Sequence, residues 1–501
     1  MGNRGLDQRQ APYFEAWLEY RRQAIVSFST PGHKQGRGVA PELVAALGEA
    51  ALALDIPHAG GVDDTHLSRD LLGQAERLAA AAWQADDAIF LLNGSTTGNL
   101  AFMLAACRPG DTIVVSRTLH KSLLAGLILS GARPVYVCPA IHPEANVTLD
   151  IPPAAVREAL ERHPEARAVA LVSPAYTGVS SDLPEIARIC HEHEASLFVD
   201  EAWGPHFAFH PALPHSAMQA GADAAVTSIH KLLGGLTQTA LLTMKGGRIT
   251  RSQLASAVAL LHTTSPAAML YASIDVARRR MALEGESLLS RTLELAWQVR
   301  EALAQIPGLR ILGPELIAGR PGAGFDPTRI LVDVHGLGLT GYLAETILRE
   351  RFRIAVEMSD LVSVMLLVTI GDTLETIRHL TEGFAGLAQA AESCSAPALS
   401  ADLRSTGAVL AATQQVLTPR EAFFAPAEAV PLERAVGRVA AEPITPYPPG
   451  IPVVAPGELI TSEIVEYLRA GLAAGMYLSG PTDPTLQTVR VVADASRACA
   501  G

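Results

Sequence analysis

Cysteine is scarce in this chain. There are five in 501 residues, Cys107, Cys138, Cys190, Cys394 and Cys499, and no two form a C-x-x-C pair. That argues against a disulfide framework or a zinc site and predicts buried free thiols. Long apolar runs are missing as well. Residues 51–56 fall far short of the roughly 20 that span a bilayer. The opening MGNRGLDQRQ has no signal-peptide core, and Leu6 stands where a myristoylation signal needs serine or threonine. A soluble cytoplasmic protein with no membrane partner is expected. Positive charge is in deficit: the formal net charge of -12 disfavours nonspecific nucleic-acid binding and mildly favours cationic substrates. Lysine occurs only at Lys34, Lys121, Lys231 and Lys245, and the first three each follow a histidine.

Hydrophobic residues make up 49% and charged residues 18%, a globular balance that suits one large domain with one or two smaller ones. The apolar run 195–199 reads as a buried strand, with Asp200 where it leaves the sheet. A second run, 222–226, returns the chain to the same edge before Thr227, Ser228, His230 and Lys231. Open α/β sheets place ligands at the carboxyl ends of their strands, so Asp200 and Lys231 are expected to share a cleft. An amine able to form a Schiff base, with a carboxylate able to hold a pyridinium proton, suits pyridoxal phosphate chemistry. The competing reading of such a pair is solvated surface.

Other strand ends add parts. A strand at 88–92 runs into NGSTTGN at 93–99 and then an apolar helix. First-turn N–H groups and the hydroxyls of Ser95, Thr96 or Thr97 suit a phosphate there, a serine/threonine cap being the plain alternative. The loop lacks a Walker lysine. His120 follows a strand at 112–116, placed either to lie against a cofactor ring or to cap the next helix. Further strands at 133–137 and 168–172 alternate with helices at 152–161 and 184–193, the pattern of a mainly parallel, helix-covered sheet.

At the start, Tyr13, Trp17 and Tyr20 share one face of a helix at 12–24, ahead of a Pro/Gly loop carrying His33 and Lys34. Asp63, Asp64 and His66 lie in an irregular loop, 55–73, as metal ligands or as caps and turns; no metal site is assigned. In the second half, a helix at 272–305 carries Arg278, Arg279 and Arg280, read as a solvated or helix-end feature. Strands at 309–312, 330–334, 354–356 and 362–368 alternate with helices at 340–349 and 374–390. The expected division is an N-terminal segment 1–50, a large domain 51–271, a connector helix with a small α/β domain 272–392, a linker 393–417 and a C-terminal domain 418–501. The last holds a proline-rich loop, with Glu458 as either a cleft contact or a structural connector, and a helix at 463–473.

These motifs, in order along nearly the whole chain, resemble the Orn/Lys/Arg decarboxylase family of the aspartate-aminotransferase superfamily, pyridoxal phosphate fold type I. The matching stretches are PGHKQG (31–36), NGSTTGN, HKS (120–122), VDEAWGPH (199–206), SIHKLL (228–233), TSP (264–266), EMSD (357–360), TIGD (369–372) and the proline-rich run 431–461. The resemblance implies that Lys231 carries the cofactor and Asp200 pairs with its ring nitrogen. It implies that His120 stacks on the ring, Ala202 packs on the other face, and Ser95, Thr96, Ser228 and His230 surround the phosphate. Lys231, His120 and Asp200 are the expected catalytic residues. The implied reaction is decarboxylation of arginine, lysine or ornithine to agmatine, cadaverine or putrescine, in a homodimer or larger homo-oligomer. Aminotransfer, β-elimination and a catalytically silent regulatory role stand as alternatives. Trp203 departs from the family's frequent histidine, the acidic loop at 55–72 departs too, and the chain looks like the short form without a wing domain.

Overall fold

The computed structural model describes residues 6–63, 69–142, 144–145, 147–392, 409–410, 413–447 and 450–493. Asp64, His66 and most of the expected linker lie outside them. The chain divides into two compact units, one of residues up to Ala105 with Phe198–Leu289, the other of Ala106–Leu197 with Ser290 onward.

Seven strands belong to one mainly parallel sheet, as expected: β1 (Asp87–Leu91), β2 (Thr112–Ser116), β3 (Arg133–Val137), β4 (Ala168–Val172), β5 (Ser196–Asp200), β6 (Ala224–Thr227) and β7 (Ala240–Met244). In the first unit β1 pairs with β7, β7 with β6 and β6 with β5; in the second, β2 lies between β4 and β3. The register sets Val199 beside Ala225 in parallel, and Leu242 opposite both Ile89 and Val226 in antiparallel pairs. β7 is the strand that runs against its neighbours, and it has no counterpart in the sequence reading. Every residue of β5, β6 and β7 is buried, so these strands read as continuous apolar runs rather than alternating ones.

The first unit also docks the amino-terminal helix Pro12–Arg22, whose Tyr13, Trp17 and Tyr20 face is buried. Asp275, on the helix Ala268–Ala304, accepts the N–H groups of Tyr13 (3.0 Å) and Phe14 (3.3 Å). Arg278, one turn further on, bonds Asp275 and donates to the carbonyls of Gln8 and Gln10. Arg278 is fully buried, which corrects the solvated reading of the arginine triplet; Arg280 is exposed. Burying the guanidinium is tolerable because a carboxylate, two carbonyls and the Gln8 side-chain oxygen take the donors of its two terminal nitrogens.

The second unit continues with a four-stranded antiparallel sheet, Met358–Ser359, Ser363–Leu367, Arg329–Asp333 and Arg310–Leu312. Helices Gly341–Phe352 and Leu374–Ala391 pack around a core that includes Val332, Val364, Leu348 and Phe384. The strand expected at 354–356 is absent. That stretch follows Arg353, which ends the helix at φ 59, and pairing begins only at Met358. Cys107 and Cys190 are buried as expected, while Cys138 is exposed. In the C-terminal part, strand Ala427–Pro431 pairs with Thr488–Val492, and helix Ser462–Ala473 packs on an apolar cluster of its own.

Candidate active site

Helix Gly94–Ala106 places the first polar group. Phe102 stacks on Phe198 of β5, ring centroids 4.2 Å apart, and both rings are buried. Residues three apart share a helix face, and residues two apart share a strand face. Asn99 therefore stands over Asp200 just as Phe102 stands over Phe198, and its amide donates to Asp200 Oδ2 at 2.7 Å. The helix can come this close because Gly98 leaves no Cβ where Val226 would meet it. The N–H of Ala202 donates to the other carboxylate oxygen, at 3.1 Å. Burial raises the pKa of Asp200, while the Asn99 amide, the charge of Lys231 and the Ala202 N–H pull it back down. The three opposing groups all favour the ionised form.

Lys231 sits in the short helix Ile229–Leu232, immediately beyond β6. The turn is pinned by His230, whose backbone N–H (3.3 Å) and ring Nδ1 (3.0 Å) both reach the carbonyl of Thr239. A carbonyl only accepts, so Nδ1 of His230 carries the proton. Burial and the neighbouring Lys231 lower the pKa of His230, against the bond to Thr239, which raises it. Lys231 Nζ lies 3.4 Å from the centroid of the Trp203 ring, close enough for a cation–π contact.

The phosphate candidates separate. Ser95 and Ser228 lie at the starts of two helices, and their hydroxyls bond each other at 2.7 Å in the interior. Thr96 is exposed and Thr97 fully buried. The first-turn N–H groups of helix Gly94–Ala106 have no intrahelical acceptors, which suits an anion. His206 is buried with its ring centroid 4.9 Å from that of Phe207.

His120 belongs to the second unit, where it caps helix Lys121–Ser130. Its Nδ1 accepts from the Ser122 N–H at 3.2 Å and bonds the Ser122 hydroxyl at 2.7 Å. His120 therefore caps this helix. Glu458 is the structural connector of its two readings. Arg117, at the end of β2, donates to Glu458 Oε2 at 2.8 Å and to the carbonyls of Pro452 and Val453. Glu458 Oε2 also accepts the Ala455 N–H at 2.7 Å. Asp63 likewise does helix work, accepting the N–H groups of Leu71 (3.0 Å) and Leu72 (3.3 Å). Among the described residues no group of three potential ligands gathers for a metal.

Sequence reasoning missed Asn99 as a site residue, although it lay inside the quoted loop motif. The signal was its spacing of three from Phe102. An amine, a buried ionisable carboxylate and paired hydroxyls at two helix starts meet the demands of a phosphorylated pyridine aldehyde. With a mainly parallel sheet beneath them, they form a candidate site for such a cofactor.

Comparison with known proteins carries the assignment further. Residues 11–376 match the family described as Orn/Lys/Arg decarboxylase, major domain, and residues 404–481 its C-terminal domain. An arginine decarboxylase of Bacillus anthracis is 39% identical over 97% of this chain and 98% of its own length, and one of Bacillus subtilis is 38% identical over 97% and 99%. Lysine decarboxylase A of Pseudomonas aeruginosa superposes with a TM-score of 0.81 at 22% identity, over 96% of this chain and 80% of that one. The chain belongs to the Orn/Lys/Arg decarboxylase family, and it is a decarboxylase.

Proposed function

We propose that this protein removes the α-carboxylate of a basic L-amino acid, arginine first and lysine or ornithine after it, with pyridoxal 5'-phosphate on Lys231. The observation that carries the reading is the set Lys231, Asp200, Asn99, Ser95 and Ser228 within one unit. Relatives named arginine decarboxylase, 37–39% identical over at least 90% of the chain, support arginine as the leading substrate.

Bound pyridoxal phosphate supplies the electron sink for the bonding pair left when the carboxylate departs as CO2. Asp200, where the Asn99 amide, the Lys231 charge and the Ala202 N–H oppose the upward push of burial, is the group to keep a proton on a ring nitrogen. Ser95, Ser228 and the first-turn N–H groups bind the phosphate. Lys231 Nζ is the acid that returns a proton to Cα, and the indole face of Trp203 favours its charged form. His120 is included as the ring-stacking partner, with Ala202, Thr96 and His230 completing the cofactor's surroundings. Glu458 and Asp63 are committed to Arg117 and to a helix start, so neither is assigned to the substrate's cationic end.

The proposal includes a cytoplasmic homodimer or larger homo-oligomer, for which light scattering would give at least twice the 52.8 kDa chain mass. The reaction is tested by mass spectrometry of products from the purified protein, pyridoxal phosphate and an equimolar mixture of L-arginine, L-lysine and L-ornithine. Lys231→Ala runs alongside. One dominant amine, lost in the variant, is the expected result. Keto acids with accumulating pyridoxamine phosphate would replace decarboxylation with aminotransfer.

A further inference from the structure

Within the second unit lies a small, partly enclosed recess with about 30 Å3 of room for water-sized groups, lined by groups to which the chemistry above gives no task. Asp360 stands in the turn between strands Met358–Ser359 and Ser363–Leu367. Its Oδ1 accepts the N–H groups of Val362 (2.9 Å) and Ser363 (2.7 Å), which fixes the plane of the carboxylate. Both of these bonds end on one oxygen, and the side chain of Ser363 also hydrogen-bonds the carboxylate. Gly341 has no room for a Cβ beside the carbonyls of Asp360 and Ser363, so the helix bearing Tyr342 is seated directly on this turn.

Three phenols share the recess with the carboxylate: Tyr176, Tyr342 and Tyr467. They come from three separate stretches of the unit, Tyr467 from helix Ser462–Ala473. Met358 adds an apolar wall. Burial raises the pKa of Asp360, and the nearby Asp333 adds to it; none of the groups acting on this carboxyl is a cation. A carboxylate that shares its recess with three tyrosines and an apolar wall is the chemistry that recognises an organic cation. A half-buried carboxylate with no cation beside it carries a desolvation cost, and a cation entering here offsets it.

We propose that this recess binds the cationic end of a small alkylammonium or alkylguanidinium ion, with Asp360 as its counter-ion and Tyr176, Tyr342 and Tyr467 around it. The site goes beyond the decarboxylation reading and does not involve Lys231. Because its three tyrosines come from separate stretches of chain, occupancy ties them together and stabilises the unit.

The test is calorimetric titration and thermal melting of the full chain with n-butylammonium, n-butylguanidinium and, as the uncharged control, n-butanol. At least one cation is expected to saturate with a Kd of about 1 mM or tighter and to raise the Tm, and n-butanol to do neither. Asp360→Asn keeps the Oδ1 acceptor of the turn and deletes the charge, so affinity should fall at least about tenfold. Should that variant not fold, Tyr342→Phe and Tyr467→Phe decide, with a loss of about threefold or more expected in each. Binding kept in Lys231→Ala and lost in Asp360→Asn locates the cation in the recess, whatever the decarboxylation assay returns. Equal affinity in wild type and Asp360→Asn, no saturation by either cation, or binding that disappears with Lys231 would overturn the proposal.

Discussion

Arg117 in the second unit and Lys231 in the first are both cations set near buried carboxylates, and the two surroundings are built differently. Arg117 is held by Thr413, two backbone carbonyls and Glu458, a network of fixed directions with pair and partner almost wholly buried. A guanidinium does not deprotonate inside a protein, and its planar fork suits that kind of permanence. Lys231 lies over the face of Trp203, and its charge acts on an Asp200 whose carboxylate is shared with Asn99 and Ala202. An ammonium gives up its proton readily when desolvated and can then act as a nucleophile. The arginine network fastens the proline-rich loop to the end of β2, whereas Lys231 lies near a carboxyl whose pKa burial raises and Asn99, Lys231 and Ala202 lower. The comparison separates charge used for architecture from charge kept for chemistry.

The sharpest way to break that contrast is at the lysine. Lys231→Ala should lower amine production by about three orders of magnitude or more while leaving the melting temperature close to wild type. A variant with half the activity would place the chemistry elsewhere. On the architectural side, Glu458→Ala strands the buried Arg117 guanidinium and should cost about 3–5 kcal/mol of stability. Urea unfolding measures it, and a loss under about 1 kcal/mol would mean that the arginine finds other acceptors. Between the two lies Asn99→Ala. Without the amide, burial lifts the Asp200 pKa further, so the acid limb of the rate profile should move to higher pH. The neutral-pH rate should fall about tenfold. An unmoved acid limb would separate Asn99 from the ionisation of Asp200.

The smallest effect tests the carboxyl next door. Glu201 is buried like Asp200, but its assigned bond is to the Ala217 N–H at 2.7 Å, and burial pushes its pKa up to about 8. Its folded-state pKa is raised above the unfolded value, so the folded protein holds the proton more tightly. Stability is then full below the unfolded pKa and falls as pH climbs towards about 8. Glu201→Gln keeps the acceptor and removes the titration. The variant should match wild type in acid and exceed it in stability above pH 8, as measured by unfolding across pH. Parallel pH curves for the two proteins would contradict the assignment.

Much of the site was legible because it depends on short-range pattern. An apolar run ending in Asp200, another ending in Ser228-Ile-His-Lys, and small hydroxyl residues opening a helix are local features, and each sits at a strand end. The features missed depend on packing. Asn99 became a partner of Asp200 only through the Phe102–Phe198 stack, and Arg117 meets Glu458 across 341 residues of chain. Arg278 looked solvated because three arginines in a row usually are, yet one helix face carries only Arg278 inward to Asp275. β7 went unread because antiparallel insertion breaks the strand–helix alternation that marked its neighbours. The 354–356 run is apolar enough for a strand, but two of its three residues pack in the small-domain core without a ladder.

The most direct test of the central claim uses the scarcity of lysine. The protein is incubated with pyridoxal phosphate, reduced with borohydride and mapped by peptide mass spectrometry across its four lysines. The account predicts a pyridoxyl group on Lys231 at close to one per chain, with Lys34, Lys121 and Lys245 unlabelled. Label confined to any other lysine, or absent from Lys231 in folded protein, would contradict it.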